Sequence, residues 1–273
     1  MNANRETASA VEIVRQNGNE PPREQSDEVA IEEPLEIRIE GRSVAVMMRT
    51  PGHDRELAAG FVLTEGLVRQ RSDIFEITAC PTIDPAHGNV IEISLTNPSD
   101  FDFAKLSRHI FSSSSCGICG KATIESAMRQ FAPISAAPRV RAQTLLGLPE
   151  KLRAAQATFA RTGGLHACAL FDANGELLLA REDVGRHNAL DKLIGHQLLA
   201  GALPAGENIL LLSGRVSFEM TQKALAAGIA LIAAISAPTS LAVDFARANN
   251  QTLVGFLRGE TMNIYAGAER IIR

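Results

Sequence analysis

The chain has 273 residues, 45% of them apolar, with a formal net charge of -4 and a pI near 5.9. That length and apolar share can bury one large core or two modest ones, which excludes a chain disordered throughout. An acidic balance without a long basic cluster excludes a nucleic-acid backbone footprint. Four cysteines and no secretory start make a reducing compartment, the cytoplasm, the expected location.

Residues 1–27 are rich in Glu, Arg, Asn, Gln and Pro without a sustained apolar period, so a flexible tail is expected. Residues 28–135 read as an α+β domain. Leu35, Ile37 and Ile39 alternate with charged residues, and residues 44–48 supply a partner strand across the turn Glu40-Gly41-Arg42. Thr50-Pro51-Gly52-His53-Asp54 is a turn and helix cap, followed by Leu57, Ala58, Phe61, Val62 and Leu67 at helical spacing. Residues 74–79 and 90–95 read as two further strands, and a short helical stretch is expected near 103–109.

Residues 111–121, Phe-Ser-Ser-Ser-Ser-Cys-Gly-Ile-Cys-Gly-Lys, place two thiols two residues apart on a small, polar segment that reads as an exposed loop. Ala122, Ile124, Ala127, Met128 and Phe131 then fall on one helical face, so Cys119 lies close to a helix N-terminus, a position that favours a thiolate. Such a pair admits a zinc half-site, a dithiol redox pair, a persulfide carrier, or no chemistry, and spacing does not choose among them. A closed zinc site needs four ligands, and only the solitary Cys80 and Cys168 remain, so no metal is expected. A thioredoxin-like site would put an apolar strand before the first cysteine, where this chain has four serines.

Pro133 and Pro138 mark a junction, and residues 136–273 read as an α/β domain with a mixed, mainly parallel sheet. The expected order is a helix from Pro149 to about Arg161, a turn at Thr162-Gly163-Gly164, and strands 165–171 and 176–180 joined at Asp172-Ala173-Asn174-Gly175. Helix 187–200, strand 208–212, helix 217–227, strand 231–235, helix 241–249 and strands near 252–257 and 263–265 complete it. Residues 224–243 carry no charge and are long enough to span a bilayer, but a glycine, an apolar strand and a turn within them read as core, so no membrane is expected.

In such sheets ligands settle beyond the carboxyl ends of the strands. Two turns there are unusually polar. Arg181-Glu182-Asp183-Val184-Gly185-Arg186-His187-Asn188 ends at a helix start, where backbone N–H groups and Arg186 could hold a phosphate and Asp183 could accept from a guanine or ribose edge. Ser213-Gly214-Arg215-Val216-Ser217 repeats the arrangement, and Thr162-Gly163-Gly164 and residues 256–261 are placed to complete the rim. Together they point to a nucleotide-sized anionic ligand. His166, at a strand start, reads as a satisfied core histidine. No histidine precedes a glutamate by two and Ser115 precedes Cys116, so zinc deaminase chemistry is unsupported.

Cys116-Gly117-Ile118-Cys119-Gly120, the run from Glu182 through Val184-Gly185-Arg186-His187 to Lys192, and the run from Ser213 through Ser217-Phe218-Glu219 to Met220 together resemble the FdhD/NarQ family, the formate dehydrogenase accessory sulfurtransferases. Thr50-Pro51-Gly52, Gly60-Phe61, Glu65-Gly66 and Thr162 to His166 agree as well, so the resemblance runs from about Glu33 to the C-terminus. It implies a homodimeric carrier with a C-terminal domain like the cytidine deaminase fold. Such a carrier takes sulfur from a cysteine desulfurase on Cys116, with Cys119 beside it, and passes it to the molybdenum bis(molybdopterin guanine dinucleotide) cofactor before that enters the formate dehydrogenase catalytic subunit. The resemblance assigns Phe256, Leu257, Arg258, Gly259, Glu260 and Thr261 to cofactor binding. The polar turns add Gly163, Gly164, His166, Asp183, Arg186, His187, Ser213 and Arg215, with GDP the natural surrogate ligand. A thiol-disulfide oxidoreductase and a cofactor-binding assembly chaperone without sulfur chemistry are the alternative readings.

Overall fold

The computed structural model describes residues 6–80, 89–101 and 131–273. Cys116, Cys119 and the helices expected near 103–109 and after Lys121 lie outside the described residues.

The chain opens with an antiparallel ribbon, β1 (Ala8–Arg15) and β2 (Arg23–Ala30), with Ala8 opposite Ala30. This corrects the expected tail. Only Val11 and Ile13 give β1 an apolar alternation, and β2 has none, so the ladder is the backbone's work, aided by a 3.6 Å ion pair between Arg15 and Asp27. The ribbon is pinned at its base by Thr7 Oγ1 to Thr158 Oγ1 at 2.9 Å and by Arg161 Nε donating to Glu28 Oε2 at 2.9 Å.

A four-stranded sheet follows, of β3 (Glu33–Ile39), β4 (Arg42–Arg49), β5 (Ile74–Ala79) and β6 (Val90–Leu95), in the order β4-β3-β6-β5. Leu35, Ile37 and Ile39 turn inward as their alternation predicts. Helix α1 (Asp54–Thr64) packs on this sheet, and β7 (Val140–Arg141) begins the second half.

Helix α2 spans Ala142–Ala155 and α3 spans Ala157–Thr162. The helix expected to begin at Pro149 therefore starts seven residues earlier. Leu145, Leu148 and Leu152 form one buried stripe, and their packing outweighs the single backbone hydrogen bond that the proline removes. The six-stranded sheet is built from β8 (His166–Phe171), β9 (Leu177–Asp183), β10 (Ile209–Leu212), β11 (Leu231–Ala234), β12 (Thr252–Arg258) and β13 (Thr261–Ala266), in the order β13-β12-β11-β10-β8-β9. Only β10/β11 and β11/β12 are parallel; β8/β9, β8/β10 and β12/β13 are antiparallel. The sheet is thus mixed rather than mainly parallel, because hairpins reverse the chain at both margins. Helices α4 (Arg186–Leu199), α5 (Phe218–Ala226) and α6 (Ser240–Ala248) connect the strands, and β14 (Ile271–Ile272) pairs with β7.

Strand alternation sorts the core. Ala167, Ala169, Phe171, Ile209 and Leu211 face α2, whereas Cys168, Leu170, Leu210 and Leu212 join a cluster with α4 and α5 that continues through α1 to Leu35 and Ile37 of the first sheet. The two sheets therefore share one apolar core, closed where α1 crosses α4. A Cβ on Gly60 would lie 1.9 Å from the Asp191 carbonyl oxygen, and one on Gly195 would lie 1.8 Å from that of Glu56. Only glycines allow this backbone approach. Among the described residues no helix is long and apolar enough to cross a membrane, and residues 224–243 fall at the end of α5, in β11 and at the start of α6.

Candidate functional site

Register decides where the predicted residues meet. His166 at the start of β8 pairs with Asp183 at the end of β9, Cys168 with Leu212 at the end of β10, Leu212 with Ala234 at the end of β11, and Arg258 with Thr261 across β12/β13. Every polar turn singled out from the sequence therefore lies along one edge of the six-stranded sheet, where α4, α5 and α6 also begin. The turns after β10 and β11 are tied together, with Val216 bridging Pro238 and donating from its N–H to the Ala237 carbonyl at 3.1 Å. Ser217 and Thr239 stand at the caps of α5 and α6, and the Thr239 side chain accepts from the Ala242 N–H at 3.3 Å.

Arg186 and His187 open α4, and partly buried Ser213 accepts from the Ala167 N–H at 2.9 Å, fixing the turn that carries exposed Arg215. Gly214 lies against His166, where an added Cβ would sit 3.2 Å from Nδ1. Burial lowers the pKa of His166, and the nearby Arg186, His187 and Arg215 charges lower it further. This imidazole is therefore neutral at pH 7, and the edge around it is cationic. Three buried side-chain atoms there have no hydrogen-bond partner, Arg186 Nε, Ser217 Oγ and His187 Nε2, the last lying 2.8 Å from Glu219 Oε2 but out of line for a hydrogen bond. Unpaired buried donors of this kind are costly unless a ligand or water satisfies them. With two helix N-termini beside them, they suit an anionic group.

Asp183 behaves differently from its predicted part as a guanine acceptor. It is fully buried, and both of its oxygens are occupied. Oδ2 lies 2.7 Å from Lys192 Nζ and accepts from the Thr50 N–H at 3.2 Å; Oδ1 accepts from the Gly185 N–H at 2.8 Å and Asn188 Nδ2 at 3.0 Å. Lys192 Nζ also donates to the Thr50 carbonyl at 2.7 Å. Asp183 thus holds the Thr50-Pro51-Gly52 turn against the start of α4 and orients Arg186 and His187 indirectly.

The remaining predicted residues line the same edge farther along. Phe256 has a left-handed φ of 52° and donates its N–H to the Ser236 carbonyl at 3.1 Å, while Leu257 is buried. Arg258 stacks over the Phe256 ring at 5.3 Å, and Gly259, Glu260 and Thr261 form an exposed hairpin tip. Two strands separate β12 from β8, a span of about 14 Å at the usual strand spacing. Gly163 ends α3 with φ 65°, and a Cβ added at Gly164 would stand 3.4 Å from the Ala30 methyl; both glycines are exposed.

Sequence reasoning gave no part to Ser217, Glu219 or Thr50. Ser217 had a signal, a hydroxyl one residue before an acidic first turn; the ties of Thr50 to residues 133 and 134 positions away had none. The two described cysteines offer little competing chemistry. Cys80 is partly buried, and Cys168 is buried with its thiol pKa pushed up, by desolvation first and then by Asp191 and Asp183. Among the described residues no group of three or more His, Cys, Asp or Glu side chains could hold a metal ion.

A model of the FdhD/NarQ family matches residues 30–272. The sulfur carrier protein FdhD of Streptomyces coelicolor is 50% identical over 252 residues, covering 90% of this chain and 89% of that protein. The sulfur carrier protein FdhD of Mycobacterium tuberculosis is 49% identical, covering 89% and 91%. A crystal structure of a candidate formate dehydrogenase accessory protein from Desulfotalea psychrophila superposes with a TM-score of 0.78 at 25% identity, covering 98% of this chain and all of that one.

Proposed function

Since this chain belongs to the FdhD/NarQ family, we propose that it is a sulfur carrier serving formate dehydrogenase, loaded on Cys116 by a cysteine desulfurase. The acceptor is the molybdenum bis(molybdopterin guanine dinucleotide) cofactor, bound as substrate along the cationic sheet edge. In loading, the Cys116 thiolate attacks the terminal sulfur of the donor's persulfide; a new S–S bond forms and the donor cysteine leaves as its thiolate, with no net oxidation. Delivery as sulfide needs two electrons. The Cys119 thiolate supplies them by attacking Cys116 Sγ, which expels the terminal sulfur and closes a Cys116–Cys119 disulfide that a cellular dithiol then reduces.

The observation that carries the acceptor half is the set of unpartnered buried atoms, Arg186 Nε, His187 Nε2 and Ser217 Oγ, where two helices start beside Arg215. The residues fit the group: Arg186, Arg215 and the α5 amides suit diphosphate, and the Phe256 ring suits stacking. A homodimer in the cytoplasm, acting as a sulfurtransferase, is the setting proposed for this chemistry.

The test uses the full chain with a cysteine desulfurase and cysteine, mapping sulfane sulfur by digestion and GDP binding by calorimetry. Sulfur is expected on Cys116, and Cys116→Ala should keep GDP binding while failing to activate formate dehydrogenase in cells lacking the native protein. Full dehydrogenase activity with Cys116→Ala would refute the carrier chemistry.

A further inference from the structure

At the opposite ends of α4 and α5 from the anion edge, two cavities meet. One, of about 530 Å³, has Leu67, Leu95 and Phe101 among its walls; the other, of about 300 Å³, has Leu63, Leu198 and Leu203. Arg69 and Gln70 line both, so the two basins form one groove with a polar waist, and Arg71 adds a second guanidinium to the smaller basin. Leu63 belongs to the last turn of α1 and Leu198 to that of α4, and Ala226, which ends α5, is in the same wall. At the usual helical rise, the 14 residues of α4 put the groove about 20 Å from Arg186 and His187.

Much of the polar wall is used internally. Asp73 Oδ2 accepts from the Arg69 and Gln70 N–H groups at 2.8 and 3.2 Å, and the Thr96 hydroxyl donates to the Ser72 carbonyl at 2.6 Å. The cations are spent far less. Arg71 gives one guanidinium nitrogen to the Ile74 carbonyl, and among the described residues the exposed Arg69 guanidinium has no partner. Neither side chain donates to a carbonyl of α1, α4 or α5, so neither is tied to a helix end. Apolar basins on both sides of two guanidiniums complement a short acidic stretch with an apolar side chain on each flank, whose carboxylate takes the arginines while its flanks are buried.

We propose that this groove docks an acidic, apolar-flanked peptide segment of the protein that loads Cys116, the cysteine desulfurase of the carrier reading given above, on which this inference rests. A carrier with two protein partners needs a face for each. The dehydrogenase receives its cofactor from the anion edge, whereas the groove lies at the far ends of α4 and α5, so a donor held there leaves the edge open. Phe101, in the wall of the larger basin, is also the last described residue before the segment that carries Cys116. Donor and nucleotide therefore bind at the same time and independently.

The experiment measures the affinity of the full chain for a cysteine desulfurase by calorimetry, in wild type, Arg69→Gln, Arg69→Glu and Arg69→Glu/Arg71→Glu, at low and high salt and with or without saturating GDP. Both arginines are exposed, and melting temperature and GDP affinity, each expected at the wild-type value, report that the variants fold. Desulfurase affinity should fall about tenfold in Arg69→Glu, the scale of one charge-assisted contact, less in Arg69→Gln and more in the double variant. Salt should weaken the wild-type complex more than that of the double variant, and GDP should leave it unchanged. Wild-type desulfurase affinity in the double variant overturns the inference, as does competition by GDP. A change of oligomeric state in the double variant with desulfurase binding retained makes the groove a contact between copies and overturns it too. If wild type neither binds the desulfurase nor takes sulfur on Cys116, the carrier reading fails and takes the inference with it. If wild type and double variant bind and load equally well, the inference alone fails.

Discussion

Gly195→Ala puts one methyl group where α4 crosses α1, and the structure fixes the sign of its effect. The new Cβ would stand 1.8 Å from the Glu56 carbonyl oxygen and 2.6 Å from the Gly60 nitrogen, both backbone atoms that no rotamer change can move aside. The helices must separate by more than an ångström to reach ordinary contact, loosening the cluster shared by Leu57, Leu190, Leu193 and Ile194. Overpacking of this kind costs about 3 kcal/mol at the upper end of the usual range. Alanine's better helix propensity returns about 1 kcal/mol. The net loss is then about 2 kcal/mol or more, or a melting temperature lower by about 4–8 °C in a chain of this size. Urea denaturation provides the assay, with Gly147→Ala as its control. Gly147 lies in the exposed face of α2 with nothing within 4 Å of its Cβ position, so the same substitution there should stabilise by about 1 kcal/mol. If Gly195→Ala matches wild type or is as stabilising as Gly147→Ala, the glycine-contact reading of the α1–α4 crossing is wrong.

Three other outcomes are expected. Alanine at Arg186 and Arg215 together should weaken GDP binding about tenfold to a hundredfold by calorimetry, the scale of one charge-assisted contact; unchanged affinity would place the ligand elsewhere. Burial pushes the Glu56 carboxyl up, but hydrogen bonds from His53, Arg181 and His196 hold it far below its usual range, so its contribution is complete above the unfolded carboxylate pKa and is lost as pH falls. Between about pH 5 and 3, wild type should therefore lose stability in denaturant titrations more steeply than Glu56→Gln, and parallel slopes would count against this. Cys168, buried with its thiol pKa pushed up, should resist alkylation in the native protein at pH 8 and react only on unfolding; rapid native labelling would contradict its placement.

Much of the fold was legible because its signals are periodic. Leu35, Ile37 and Ile39 announce a half-buried strand, Asn174-Gly175 a hairpin, and the spacing from Leu57 to Val62 a helix face. The β1–β2 ribbon escaped because β2 reads Arg-Glu-Gln-Ser-Asp-Glu-Val-Ala, with nothing apolar to alternate before Val29. Pro149 misled because its local penalty is small beside the three leucines that carry α2. The edge occupied by the candidate site was legible as well, since strand-to-helix junctions of an α/β sheet gather at one side. Which charges on that edge remain free for a ligand was not. That depends on pairings between residues more than a hundred positions apart, such as Thr50 with Asp183 and Glu56 with Arg181.

The run from Arg181 to Lys192 shows how a polar motif can be read too literally. Arg181 is spent on Glu56 at 2.6 Å, Glu182 accepts from the Thr158 and Phe159 N–H groups at the start of α3, and Asp183 and Lys192 neutralise each other at 2.7 Å. Asn188 bridges Asp183 to the Met48 carbonyl at 2.8 Å. With Asp191 held 2.8 Å from Lys223, six of the charged or amide side chains in the motif bind this protein to itself, and Arg186 and His187 are what it leaves for a partner. The internal pairs are what make those two useful. A side chain that offers charge to an anion must be held where solvent would otherwise disperse it, and holding the start of α4 against the first sheet takes a buried carboxylate, a buried lysine and a turn from a distant strand. The length of the motif therefore measures the scaffold needed to present two side chains rather than the number of groups that touch the ligand.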